Sequence, residues 1–281
     1  MTVCIAVTPR FRSEIILVSD QLLSSDVNSV EGGFKFTSLA PAWYVMFAGH
    51  APRFRPLIET MCEPLGDTRN TRFTVQTIMA VAERAYYVEL TKLIEIEILS
   101  PFGISRDDFV RKGRRWFGAT EYSHVLNQIG SADLGIELLV VGVDAETQTQ
   151  LFSVSSRGAV SPSVLPYHAI GSGAYLALGA LYQLAYFPGP DLTENVYRTC
   201  AAKFAAEAAP GVGRETHVMV TDPLMQKWAM IFGVDDLRKI WQTEGQPRFP
   251  PAAKRTIYRD LKPMRTFPPI RKTKRSRPKA G

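Results

Sequence analysis

The chain has 281 residues, of which 46% are hydrophobic and 21% charged, which is typical of one large or two small folded domains. No apolar run approaches the ~18 residues that span a membrane, the start lacks a secretory signal, and neither clustered metal ligands nor a phosphate-binding glycine motif occurs. We therefore expect no membrane partner, metal or cofactor, and three widely separated cysteines favour a cytoplasmic location.

The apolar pattern predicts blocks of strands that alternate with blocks of helices. Strands are predicted over residues 2–8, 14–20, 34–39, 43–48, 136–144, 149–154, 168–170, 216–221 and 227–232. Helices are predicted over residues 53–64, 73–98, 174–187, 234–242, and from a cap at Asp191 or Thr193 to about 209, while residues 101–134 stay unassigned. Separate strand and helix blocks favour an α+β fold in which two sheets stack and helices cover both outer faces.

Thr2 follows the initiator Met1 directly and precedes an apolar strand. A side chain as small as threonine permits removal of Met1, which would leave a hydroxyl and a free α-amine on one residue. Such an amine titrates near pH ~8, so a fraction of it is neutral and can act as a base. The dipeptide alone is weak evidence, because many chains begin Met-Thr without using the threonine hydroxyl as a nucleophile.

The order and spacing of several further landmarks make the chain resemble the proteasome β-subunit family, with its bacterial relatives, among the N-terminal-nucleophile hydrolases. The landmarks are Thr2, Ser19 with Asp20, Lys35, Ala48 with Gly49, the strand end at residues 141–144, and Gly171, Ser172 and Gly173 before a helix. The resemblance covers residues 2–240. It implies a four-layer αββα sandwich of two antiparallel sheets and assembly of identical subunits into a ring.

The resemblance also implies roles for five residues. Thr2 would be the nucleophile, with its own amine as base, and Asp20 and Lys35 would form a buried ion pair beside it. The N–H of Gly49 would bind the oxyanion, and Ser172 would relay protons at the amine. The implied function is a threonine endopeptidase that cleaves peptides or unfolded proteins through an acyl-enzyme. Any ATPase partner is unidentified.

Two departures from the family leave alternatives open. Residues 211–216 lack the aspartate that commonly completes the hydrogen-bond network in this family, and residues 98–134 are longer than usual. The chain could instead be an inactive assembly or binding subunit, or an amidohydrolase that acts on small amides.

The net charge of +6 is unevenly distributed, since residues 249–281 hold eleven Lys or Arg and one acid. We predict a folded domain over residues 1–245 and a basic, proline-containing, disordered tail over residues 246–281. Such a tail could bind nucleic acid through counterion release or dock on a neighbouring subunit. The sparse aromatic residues favour docking.

Overall fold

A computed structural model describes residues 2–9, 13–24, 29–30, 32–66, 72–161, 165–183, 189, 191–244, 250–261 and 265–266. Within these ranges the strands are β1 (Cys4–Val7), β2 (Ile15–Asp20), β3 (Leu23–Ser24), β4 (Ser29–Val30), β5 (Phe36–Ala40), β6 (Trp43–Gly49), β7 (Ile136–Val143), β8 (Thr149–Ser155), β9 (Gly158–Val160), β10 (Tyr167–Ile170), β11 (Thr216–Asp222), β12 (Lys227–Met230) and β13 (Arg265–Thr266). The α-helices are α1 (Phe54–Leu65), α2 (Val75–Leu93), α3 (Arg106–Gly130), α4 (Ala174–Gln183), α5 (Leu192–Ala206), α6 (Val234–Glu244) and α7 (Pro251–Leu261).

The larger strands form two antiparallel sheets. One sheet has the order β10-β1-β2-β11-β12-β13 and the other β5-β6-β7-β8-β9. In the first sheet Cys4 pairs with Ser19 and Thr216 pairs with Asp20, which brings the ends of β1, β2 and β11 together. The site described below lies at these strand ends.

Alternating side chains in the strands divide the core into three layers of packing. In β1, Ile5 and Val7 pack under α4 and α5, whereas Cys4 and Ala6 face the second sheet. Helices α1 and α2 cover the outer face of the second sheet, around Trp43 and other apolar side chains. The predicted α+β sandwich with helices outside both sheets is confirmed.

Helix α3 fills much of the stretch that the sequence pattern left unassigned. It begins at the cap Ser105, whose hydroxyl accepts from the Asp108 N–H at 3.1 Å, and its helical geometry is interrupted at Gly118. Its apolar side chains, Phe109 and Val125, pack with Ile94 in a small cluster separate from the sheets. The long insertion is therefore largely a separate helix, which packs against the segment that follows α2.

The expectation of a disordered tail is wrong for the segment that forms α7. Ala253 and Ile257 are fully buried against the helical layer over the first sheet, and β13 pairs with β12. Apolar side chains one helical turn apart thus pack this basic segment against the folded domain. Residues 246–249, 262–264 and 267–281 of the predicted tail lie outside the described residues, and the boundary near residue 245 stays a prediction.

Helix α7 provides a matched pair of substitutions. Ile257→Ala removes a fully buried side chain, and we expect it to lower the free energy of unfolding by about 2–4 kcal/mol. Tyr258→Ala alters a side chain that is 64% exposed, and we expect a change within about 0.5 kcal/mol. Denaturant unfolding at one fixed protein concentration measures both. Equal effects of the two substitutions would contradict the docking of α7.

Candidate active site

Three polar side chains converge in the interior near the beginning of the chain. Thr2 is 2% exposed, Asp20 0% and Lys35 1%. The ammonium Nζ of Lys35 donates to Asp20 Oδ1 at 2.9 Å. The Thr2 hydroxyl donates to Asp20 Oδ1 and accepts from Lys35 Nζ. The predicted trio thus shares one hydrogen-bonded cluster.

Each member of the trio comes from a different element. Thr2 precedes β1, Asp20 ends β2, and Lys35 lies just before β5. The Lys35 carbonyl accepts from the Phe47 N–H at 3.0 Å, which ties this residue to β6 of the second sheet. The ion pair therefore joins the ends of the two stacked sheets.

Backbone N–H groups surround the Asp20 carboxylate. Oδ1 accepts from the Val3 N–H at 2.9 Å, and Oδ2 accepts from the N–H groups of Leu22 at 3.3 Å and Gly213 at 3.0 Å. A charge removed from water is tolerated only when it is paired and hydrogen-bonded. These donors, with Lys35, compensate the buried negative charge.

Glycine permits the close backbone approach beside Thr2. Gly171 has φ +89°, and a Cβ there would lie 2.4 Å from the Thr2 carbonyl oxygen and 3.0 Å from Cβ of Ala48. Gly49, with φ +108°, ends β6 next to Ala48, and a Cβ there would lie 2.1 Å from the Gly135 oxygen. Gly49 thus follows Ala48, which lies close to Gly171, and the backbone itself requires glycine at position 49. Its role in binding an oxyanion stays a prediction.

Ser172 lies beside the backbone of Thr2. Its hydroxyl is 3.4 Å from the carbonyl oxygen of Thr2 and 3.4 Å from that of Pro210, and its single hydrogen can serve one of them at a time. The Gly173 N–H also donates to the Thr2 carbonyl, at 3.2 Å. Ser172 therefore lies next to the cluster, and its contact there is with the Thr2 carbonyl.

Sequence reasoning missed Glu137. This residue pairs with Ala48 across β6 and β7, and its Oε2 accepts from the Gly171 N–H at 3.2 Å. Burial raises the pKa of the Glu137 carboxyl, and the hydrogen bond from Gly171 opposes that rise. The only available signal was a single acid in an otherwise apolar strand.

A second contact that the sequence did not predict is the hydrogen bond from the loop before β11 to Asp20 Oδ2. Residues 211–216 contain no aspartate side chain. The structure instead directs the backbone N–H of Gly213 at Asp20, and the buried Lys203 donates to the Gly213 carbonyl at 2.9 Å. A backbone donor leaves no residue-type signal, so this contact could not be found from the sequence.

The described residues contain no group of three or more His, Cys, Asp or Glu side chains that could hold a metal ion. None of the helices in the described part of the chain has the length and apolar character needed to cross a bilayer.

Comparison with known proteins agrees with the fold. The family model described as "Proteasome subunit" matches residues 119–210, from α3 to the loop before β11. A search of curated proteins finds no match to the chain. The family match and the two-sheet fold support a proteasome-like protein, and the predicted resemblance to this family is confirmed.

The buried ion pair generates a stability prediction. Lys35→Met leaves the Asp20 carboxylate without its cation, and we expect a loss of about 3–5 kcal/mol in the free energy of unfolding. Adding Asp20→Asn removes the uncompensated charge and should restore part of that loss. Denaturant unfolding of both single variants and the double variant measures the coupling. Strictly additive effects would contradict the pairing.

Gly49 generates a second prediction. Gly49→Ala places a methyl group against the Gly135 carbonyl at positive φ, and we expect a loss of at least about 2 kcal/mol. The matched control is Gly179→Ala in α4, where an added Cβ meets no atom within 4 Å and helix propensity should stabilise by about 0.5–1 kcal/mol. Thermal unfolding of the two variants compares them. A neutral Gly49→Ala would show that the backbone does not require glycine there.

Proposed function

We propose that this chain is a threonine-type peptidase of a proteasome-like ring, in which Thr2 attacks peptide bonds after Met1 is removed. The single observation that carries the proposal is the position of the Thr2 hydroxyl between the Lys35 ammonium and the Asp20 carboxylate, with all three side chains buried. A hydroxyl is a weak nucleophile unless charge and a base activate it. The Lys35 ammonium and the Asp20 carboxylate supply that charge beside Thr2, which becomes the first residue once Met1 is removed.

Removal of Met1 supplies the base. While Met1 is attached, the Thr2 nitrogen is an amide, which cannot accept the hydroxyl proton. Once Met1 is removed, the free α-amine lies on the same residue as Oγ1 and takes that proton. The Lys35 ammonium stabilises negative charge on Oγ1 as the proton leaves, and Asp20 keeps the ammonium in place.

The reaction follows acyl-transfer chemistry. Thr2 Oγ1 bonds to the peptide carbonyl carbon, and the carbonyl oxygen becomes an oxyanion that the N–H of Gly49 stabilises. The C–N bond then breaks, and the leaving amine takes a proton from the Thr2 ammonium. Water hydrolyses the resulting ester and regenerates the hydroxyl. Ser172, beside the Thr2 carbonyl, assists proton movement at the amine.

The family match supports assembly into a multisubunit ring. We propose further that the subunits are identical, that the ring restricts access to peptides or unfolded chains, and that it works in the cytoplasm. The absence of an aspartate in residues 211–216 favours a second candidate, an inactive assembly subunit with the same fold. Hydrolysis of small amides is a third candidate. Chemical reactivity of Thr2 separates the first candidate from the second.

The test is the intact mass of the purified protein before and after treatment with a peptide epoxyketone, a reagent that needs a hydroxyl and a free amine on the first residue. We expect loss of Met1 and one adduct per chain, and no adduct with Thr2→Ala. Thr8→Ala is the matched control, because Thr8 is also buried but bonds to the Pro166 carbonyl at 3.1 Å, away from the cluster. It should retain the adduct.

Three results would contradict the peptidase proposal. Retained Met1 would leave Thr2 without its base. A free Thr2 that forms no adduct, in a protein that still assembles, would favour the inactive subunit. Turnover of small amides with no cleavage of peptides would favour the amidohydrolase.

A further inference from the structure

Two buried cations and one partly buried carboxylate lie beneath the loop that precedes β11. Lys203 of α5 is 0% exposed and Arg238 of α6 is 6% exposed. Glu207, one turn after Lys203, lies between them with its side chain 19% exposed. Burying such charges is costly unless each has well-placed partners, so their partners indicate what the cluster holds.

The Lys203 ammonium makes its three shortest hydrogen bonds to three different groups, and the Glu215 carbonyl lies farther away, at 3.5 Å. It donates to Glu207 Oε1 at 2.6 Å, to the Gly213 carbonyl at 2.9 Å and to the Arg214 carbonyl at 2.8 Å. Burial lowers the pKa of Lys203, while Glu207 and the more distant Asp20 oppose that shift. One cation therefore binds two successive carbonyl groups of the loop.

Arg238 reinforces the same contacts from the other side. Its Nη1 donates to Glu207 Oε1 at 2.6 Å, and its Nη2 donates to the Arg214 carbonyl at 2.6 Å. The guanidinium carbon lies 4.4 Å from the centre of the Phe204 ring, a cation–π arrangement. Loop residue 214 is thus held by two buried cations that share one carboxylate.

The loop held in this way reaches the candidate active site. Gly213 accepts from Lys203 through its carbonyl and donates to Asp20 Oδ2 through its N–H, at 3.0 Å. Val212 packs so closely below Gly173 that a Cβ on that glycine would lie 2.8 Å from Val212 Cγ2. The Pro210 carbonyl is 3.4 Å from the Ser172 hydroxyl. Displacement of the loop would therefore disturb both Asp20 and the turn beside Thr2.

We propose that Lys203 is a positioning residue for the reaction: its ammonium fixes residues 213 and 214 so that the Gly213 N–H orients Asp20 toward Lys35 and Thr2. This role rests on the proposed function of Thr2. The loop has no aspartate of its own. Its backbone is instead fixed by hydrogen bonds from the cluster of Lys203, Glu207 and Arg238 on α5, the residue after it, and α6. Lys203 itself touches neither Thr2 nor the substrate.

The test compares Lys203→Met with the wild-type protein, using reaction with the epoxyketone over a range of concentrations. Misorientation of the Asp20–Lys35 pair should lower the maximal rate of adduct formation by about 10- to 100-fold and leave the half-saturating concentration within about twofold. Hydrogen exchange of the peptide that contains residues 211–215 should become faster. Lys92→Met is the matched control, because the Lys92 side chain lies on another helix, α2, is 57% exposed and pairs with Glu89 at 2.7 Å; neither readout should change.

Loss of a buried ammonium can prevent folding, so Glu207→Gln is the second variant. It preserves the shape of the side chain and removes the charge that Lys203 and Arg238 share. We expect the same separation of maximal rate from half-saturation, with a rate decrease of at least about threefold.

The outcomes separate this inference from the proposed function. Wild-type adduct formation with unchanged maximal rates in the folded variants would overturn the role of Lys203 and leave the peptidase proposal standing. A decrease that appears only in the half-saturating concentration would also overturn it. If the wild-type protein forms no adduct, the proposed function fails and the positioning role fails with it, whatever the exchange rates show.

Discussion

The buried ion pair between Lys35 and Asp20 is the interaction on which the arrangement of this site depends. Its members come from different sheets, since Asp20 ends β2 and Lys35 leads into β5. Two opposite charges out of water are acceptable only at short distance and with their remaining hydrogen-bonding capacity used. The stacking of the sheets brings the charges together, and the pair in turn fixes where the strand ends meet.

The remaining capacity of Asp20 connects the pair to three separate stretches of chain. Its oxygens accept from Val3 at the start of β1, from Leu22 after β2, and from Gly213 before β11. The hydroxyl of Thr2 enters the same cluster because Thr2 immediately precedes Val3. The position of Thr2 is therefore set by the requirement to satisfy the buried Asp20 carboxylate. Glycines at positions 49 and 171 allow the neighbouring backbone to come close.

Much of this organisation could be predicted because it depends on local pattern. The strand predicted over residues 14–20 is present as β2, and all of its residues are buried. The predicted cap Asp191 accepts from the N–H of Thr193 at the start of α5. The resemblance to the proteasome β-subunit family implied that Thr2, Asp20 and Lys35 lie together, and their side chains do meet.

The parts that could not be predicted depend on tertiary contacts. Helix α3 carries few apolar residues, which pack in their own small cluster, so its periodicity was weak. Helix α7 lies in a strongly basic stretch whose average composition resembles a disordered chain, although Ala253 and Ile257 are buried. The burial of Lys203 could not be predicted either, because it depends on a loop ten residues later.

The most direct test of the account is a crystal structure of the protein after removal of Met1 and treatment with a peptide boronate. We predict a bond between boron and Thr2 Oγ1, with the Lys35 ammonium beside that oxygen and a boronate oxygen accepting from the Gly49 N–H. A reagent that binds elsewhere, or a Thr2 hydroxyl that stays unmodified beside an intact Lys35–Asp20 pair, would contradict the claim that this cluster activates Thr2.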